Sequence, residues 1–98
     1  MIAIRFHPAA RKEIQRAFDW YRQEASPLVA TGFLDDFEQT LALLKRHPKI
    51  GETGNSQTRR QVFQRYPYTV VYRLAGETLE IVAIAHHSRQ PEYWARRR

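Results

Sequence analysis

Ninety-eight residues, 43% hydrophobic and 27% charged, are enough for one small folded domain over 1–98 and exclude both a disordered chain and an enzyme built around a large, deeply buried cofactor. With no cysteine, disulfides, thiolate nucleophiles and Cys-built zinc sites are excluded; four His at no ligand spacing supply no metal motif, so neither cofactor nor metal is expected. Sixteen Lys and Arg against ten Asp and Glu leave a net charge of +6, and thirteen of the cations are Arg, whose planar donor fork suits phosphate and carboxylate; nucleic acid or an acidic protein partner is implied.

Ile2 to Phe6 alternates weakly and stops at His7-Pro8, which predicts a short first strand. Pro8 suits the first position of a helix over about 8–25, whose apolar stripe is Ala10, Ile14, Ala17, Phe18 and Tyr21. Ser26-Pro27 is a second start signal, a Ser cap before Pro. It opens a helix running to about Arg46 on Ala30, Phe33, Leu34, Phe37, Leu41 and Leu44, with Asp35, Asp36 and Glu38 expected on its outer face. Gly32 inside it costs about 1 kcal/mol relative to Ala, which points to close packing against the first helix. His47-Pro48 ends the helix, and so short a connection between the two makes them an antiparallel hairpin.

Pro48 to Thr58 carries Gly51, Gly54, Asn55 and Ser56 without periodicity and reads as a loop. Three strands follow: Arg59 to Arg65, Tyr68 to Leu74 and Leu79 to His86, joined by turns at Tyr66-Pro67 and Ala75-Gly76-Glu77. Alternation places Tyr68, Val70, Tyr72 and Leu74 on one face and Thr69, Val71 and Arg73 on the other; in the next strand Leu79, Ile81, Ala83 and Ala85 oppose Glu80, Val82, Ile84 and His86. The order β-α-α-β-β-β predicts an α+β fold with the helical hairpin on one face of a small, mostly antiparallel sheet. No apolar run approaches membrane-spanning length and no signal peptide is legible, so a cytoplasmic protein is expected.

Charge concentrates late. Residues 51–98 carry a surplus of four cations against two in 1–50, and 59–73 holds Arg59, Arg60, Arg65 and Arg73 with no acid. Like charges on adjacent strands repel, so such a surface calls for an anionic partner. His86 and His87 end the last strand on opposite faces, and only one can share a face with Arg73. An imidazole among guanidinium groups has the makings of a general acid or base at a phosphodiester; a hydrogen-bonded strand-end residue is the plainer reading. Tyr66-Pro67-Tyr68 and Tyr93-Trp94 interleave rings with Arg, compatible with base stacking or with packing over the end of a small core. Arg96-Arg97-Arg98 reads as a frayed, solvated end.

Several strings, taken in order, resemble the RelE/ParE toxin superfamily of type II toxin-antitoxin modules. They are the Phe6 strand with a helix ending in Trp20-Tyr21, the stop His47-Pro48-Lys49-Ile50-Gly51, Arg59-Arg60, the run Tyr66-Pro67-Tyr68-Thr69-Val70-Val71-Tyr72-Arg73, and the ending from Ala83 through His86-His87-Ser88-Arg89 to Tyr93-Trp94. The resemblance implies a growth-inhibiting toxin held inactive by an acidic cognate antitoxin laid across the hairpin and sheet. RelE-like members cut messenger RNA on the ribosome, whereas ParE-like members poison DNA gyrase and lack the catalytic set. Arg60, Arg73, His86 and Arg89 stand in nuclease-like places, and Tyr93, Glu52 and Glu92 are the nearest candidates for a second proton-transfer group. The absence of lysines around the first meander strand, and the ending Pro91-Glu92-Tyr93-Trp94, favour the ParE-like side. On that side the protein is no enzyme, and Arg59, Arg60, Arg65, Arg73, Arg89, Tyr93, Trp94 and Arg96 form the target-binding surface. A messenger-RNA endoribonuclease is the alternative, and a non-toxic basic binding domain the third reading.

Overall fold

Strand β1 (Ala3–Phe6) stops at His7-Pro8, and His7 Nδ1 accepts the N–H of Ala9 at 3.0 Å, so the residue that ends the strand also caps the helix that follows. In this computed structural model, which describes residues 2–97, helix α1 (Pro8–Glu24) and helix α2 (Pro27–Arg46) are separated only by Ala25 and Ser26. Ser26 Oγ accepts the N–H of Val29 at 3.1 Å, the cap expected of a Ser-Pro start. The hairpin buries Ala10, Ala17, Phe33, Phe37 and Leu44 against sheet residues Tyr68, Val70, Tyr72, Leu79, Ile81 and Ile84 in one apolar cluster. Burial of this kind contributes roughly 25 cal/mol per Å2 of apolar surface and holds the helices to the sheet.

The sheet has five strands in the order β1-β5-β4-β3-β2, with β1 parallel to β5 and the other pairs antiparallel. The α+β class and the β-α-α-β-β-β order expected from sequence are observed, with one addition. Within the segment expected to be loop lies the short strand β2 (Glu52–Thr53), followed by a 3-10 turn at Asn55–Gln57. The pair Arg59-Arg60 fastens it: Arg60 reaches Glu52 at 3.0 Å, and Arg59 Nη1 donates to the carbonyls of Lys49 and Gly51 at 2.9 and 3.1 Å. Nothing in local periodicity marks a two-residue strand held by side chains of its neighbour.

Strand β3 (Arg59–Val62) ends three residues before its expected limit at Arg65. The cause lies on α2. The N–H groups of Gln64, Arg65 and Tyr66 donate to the Asp36 carboxylate at 3.2, 2.8 and 2.8 Å, so the chain leaves the ladder to reach a charged acceptor. Asp36 is 1% exposed, which corrects its expected place on the outer face of the helix. Gly32, one turn earlier, makes room for the Tyr66 hydroxyl rather than for α1; a Cβ there would collide with that oxygen, which donates to the carbonyl of Val29 at 2.7 Å. The β3–β4 loop is thus seated on α2.

Strands β4 (Tyr68–Ala75) and β5 (Thr78–His86) pair along their length, with an irregularity where Val71 opposes Ala83 and Tyr72 opposes Ile81, leaving Val82 without a partner. This bulge switches the pleat. Leu79 and Ile81 face the helices as expected, but past Val82 it is Ile84 that joins the main core, while Ala83 packs on the far side with Val71, Val82 and Trp94. The single unbroken alternation expected for β5 is therefore corrected. Beyond β5 the chain crosses this second face and buries Trp94 to 3% exposure.

Candidate functional site

The far face of the sheet and the C-terminal segment folded over it bring together most of the expected site residues. Arg60 is exposed at one side and paired with Glu52. Arg73 is engaged on three sides, by Glu80 Oε1 at 3.3 Å, the Arg97 carbonyl at 3.0 Å and the Ser56 carbonyl at 3.3 Å. Glu80 also receives Arg5 at 3.4 Å. The repulsion expected between neighbouring strand arginines is thus relieved within the molecule by Glu52 and Glu80, and Arg59 is spent on main-chain carbonyls. Arg65 is exposed in the loop held by Asp36, and Arg96 is exposed on the C-terminal segment.

Tyr93 and Trp94 do different jobs. Trp94 fills the shallow second core and is not presented to solvent. Tyr93 lies under two guanidinium groups, with the Arg89 carbon 3.8 Å and the Arg97 carbon 5.1 Å from its ring centroid. Its hydroxyl donates to Glu13 Oε2 at 2.7 Å. Burial, with the Glu13 carboxylate that accepts this bond, raises the phenol above its ordinary value.

Glu13, on α1, is the hub of this end. Its two oxygens accept from Tyr93 OH, from Ile84 N–H at 3.0 Å, and from Arg97 Nη1 and Nη2, both at 2.9 Å. Arg97 Nη1 also donates to the Val82 carbonyl at 3.0 Å. These contacts occupy the edge of β5 just beyond the end of β1, where Val82 C=O and Ile84 N–H have no strand beside them. Burial alone would raise the Glu13 carboxyl, but the bonds from Arg97, Tyr93 and Ile84 together take it below the ordinary carboxylate value. The Arg97 guanidinium is raised in turn, chiefly by that carboxylate. Arg97 is therefore clasped, which corrects its reading as part of a frayed end; Arg98 lies outside the described residues. Sequence reading missed Glu13 because an acid beside Arg11 and Lys12 on a helix looks like surface.

The two histidines separate as alternation requires. His86 opposes Tyr68 on the helix side, its ring 5.0 Å from the Tyr68 ring, and its Nδ1 accepts the Ser88 N–H at 3.0 Å with Ser88 Oγ 2.7 Å away. Burial, with Tyr21 nearby, pushes the Tyr68 hydroxyl up to about 12. His87 has its Nε2 3.1 Å from Thr69 Oγ1 on the face shared with Arg73. A cleft of about 190 Å3 is lined by Arg60, Thr69, His86, His87, Arg89, Glu92 and Tyr93 among others. Arg73 and Arg65 do not line it. Among the described residues no three His, Asp or Glu side chains converge as metal ligands would.

The family model for the ParE toxin of the type II toxin-antitoxin system parDE matches residues 4–91. Among solved structures the chain is similar to one described as the chromosomal ParDE TA system from P. aeruginosa, at a TM-score of 0.76 and 18% identity over 88% of this chain and 96% of that one. At that identity the likeness speaks for the fold alone. No curated protein matches the sequence.

Proposed function

We propose that this chain, which belongs to the ParE toxin family of type II toxin-antitoxin systems, arrests growth by binding and poisoning DNA gyrase in the cytoplasm, without catalysis of its own, until an acidic cognate antitoxin covers it. The observation that carries this reading is the commitment of the groups a nuclease would use. The Tyr93 hydroxyl is given to Glu13, His86 Nδ1 is held by the Ser88 N–H, and Arg73 is spent on Glu80 and the Arg97 carbonyl. What remains presented is Arg89 and Arg96, with Arg60 exposed beside its partner Glu52, on a fixed surface, which suits binding to a macromolecule. Purified protein is expected to inhibit gyrase supercoiling or trap cleaved DNA, and Arg60→Ala with Arg89→Ala to weaken that effect about tenfold or more, as loss of central interface cations does. Unchanged gyrase activity at excess toxin refutes the reading.

One observation favours messenger-RNA cleavage instead: Arg60, His87 and Arg89 border a single cleft. On that reading primer extension on translated messages shows cuts that vanish in His87→Ala. Intact messages in arrested cells leave the gyrase reading alone.

A further inference from the structure

The open depression at the C-terminal end of α2 serves neither the cleft nor the clasp described above. Ile2, Pro48, Ile50 and Leu74 line it with His47, its cations are Arg46 and Lys49, and its volume is about 680 Å3. No acid lines it, and neither cation meets a carboxylate among the described residues. Glu77, next to Gly76 in the β4–β5 turn, stands outside it.

The wall that carries Ile50 is held in place from both sides. Tyr72 OH donates to the Pro48 carbonyl at 2.7 Å and accepts the Gly51 N–H at 3.0 Å. Arg59 takes the carbonyls of Lys49 and Gly51, and the Ile50 N–H closes a turn on the His47 carbonyl at 3.0 Å. Gly51 is pressed against Tyr72, where a Cβ would come within 2.6 Å of the phenol oxygen. Ile50 is nonetheless 50% exposed. A large aliphatic side chain fixed half in solvent, beside two more apolar walls, is a pre-organised seat that costs little ordering when filled.

We infer that this depression receives an acidic segment of the antitoxin, which seats one large apolar side chain between Ile2, Ile50 and Leu74 and sets its carboxylates against Arg46, Lys49 and His47. The inference rests on the antitoxin reading above. Charge complementarity selects the occupant: an apolar floor whose rim carries Arg46 and Lys49 and no acid fits an acidic peptide with an apolar anchor, whereas nucleic acid would leave the floor uncovered. Leu74 lies five residues along β4 from Thr69 of the cleft, about 17 Å at the rise of an extended strand. The antitoxin can therefore grip the toxin here without touching the cleft.

The test measures binding of the acidic product of a reading frame neighbouring this gene, taken as the antitoxin, by calorimetry at low and high salt, to the wild type, Ile50→Glu and the double reversal Arg46→Glu with Lys49→Glu. Ile50 is half exposed and both cations are exposed, so the variants are expected to fold, and a thermal melt of each free protein checks it. Ile50→Glu is expected to lose tenfold or more in affinity. The double reversal is expected to lose affinity and to flatten its salt dependence, while gyrase inhibition by each variant alone stays at the wild-type level. Wild-type antitoxin affinity in both variants overturns the assignment. Loss of gyrase inhibition with antitoxin binding intact also overturns it, because the depression then belongs to the target surface. Failure of the wild type itself to bind the antitoxin overturns the partner reading, and this inference with it.

Discussion

Glu13 is the side chain on which the C-terminal segment turns. Its carboxylate and the Arg97 guanidinium meet as parallel forks at side-chain exposures of only 10% and 17%, and removing one partner of such a pair leaves the other charge stranded. Glu13→Gln is expected to destabilise the protein by about 2–4 kcal/mol, read as a lower urea midpoint. The pH dependence has a definite sign. Because the folded carboxyl titrates below its ordinary value of 4.5, its stabilisation is fully present above that value and is lost as pH falls through the lower folded one. Urea midpoints measured from pH 7 to pH 3 should therefore hold down to about pH 5 and then drop. Glu13→Gln should start lower and fall less steeply; parallel curves would remove Glu13 from the account. Asp36 teaches the same lesson about reading a sequence. An acid on a helix is coded as solvent-facing, yet what fixes its place is three successive main-chain N–H groups almost thirty residues away, and these carry no side-chain signature.

At the level of elements, much was legible because it is written in periodicity and punctuation. His7-Pro8, Ser26-Pro27 and His47-Pro48 bound the helices within a residue or two, and Leu79 and Ile81 alternate onto the helix face as spacing predicts. The bulge at Val82 was not legible, since an unpaired residue in an apolar run such as Ile81 to Ile84 looks like any other. Gly32 allows a prediction against the usual rule. Ala in place of Gly inside a helix ordinarily stabilises by about 1 kcal/mol, but here the added methyl meets the Tyr66 hydroxyl. Gly32→Ala is expected to lower the Tm, and adding Tyr66→Phe to recover part of the loss. A higher Tm for the single variant would mean that the β3–β4 loop is not tied to α2 as described.

Across the whole molecule, the Arg-rich surface that composition advertises is smaller than it looks. Of the strand arginines, Arg59 and Arg73 are consumed by carbonyls and by Glu80, and Arg60 is shared with Glu52. The net charge of +6 still favours an acidic partner, whose binding to the folded state alone stabilises it by mass action. At a hundredfold excess over Kd the stabilisation is about 2.7 kcal/mol, and the Tm of the toxin is expected to rise by several degrees with antitoxin and to return towards its free value in high salt. An unmoved Tm would argue against any partner that recognises the folded toxin. The cleft, by contrast, was only half foreseen: Arg60, Arg89 and Tyr93 line it together with both histidines, and it is His87 that reaches Thr69 on the face of Arg73, because pleat parity past a bulge cannot be counted from sequence alone.

The parallel pairing of β1 with β5 also sets an order in time. Arg5 meets Glu80 across 75 positions, and Glu13 meets Arg97 across 84, so the first strand and the clasp have no partners until the last third of the chain is at hand. Closing loops of that length costs chain entropy before the contacts reward it, so these pairs are expected to be absent from the folding transition state. Glu13→Gln is accordingly expected to steepen the escape from the native state, with faster unfolding and almost unchanged refolding in a denaturant series. On that expectation the clasp between Arg97 and Glu13 governs how long the folded molecule persists once it stands alone.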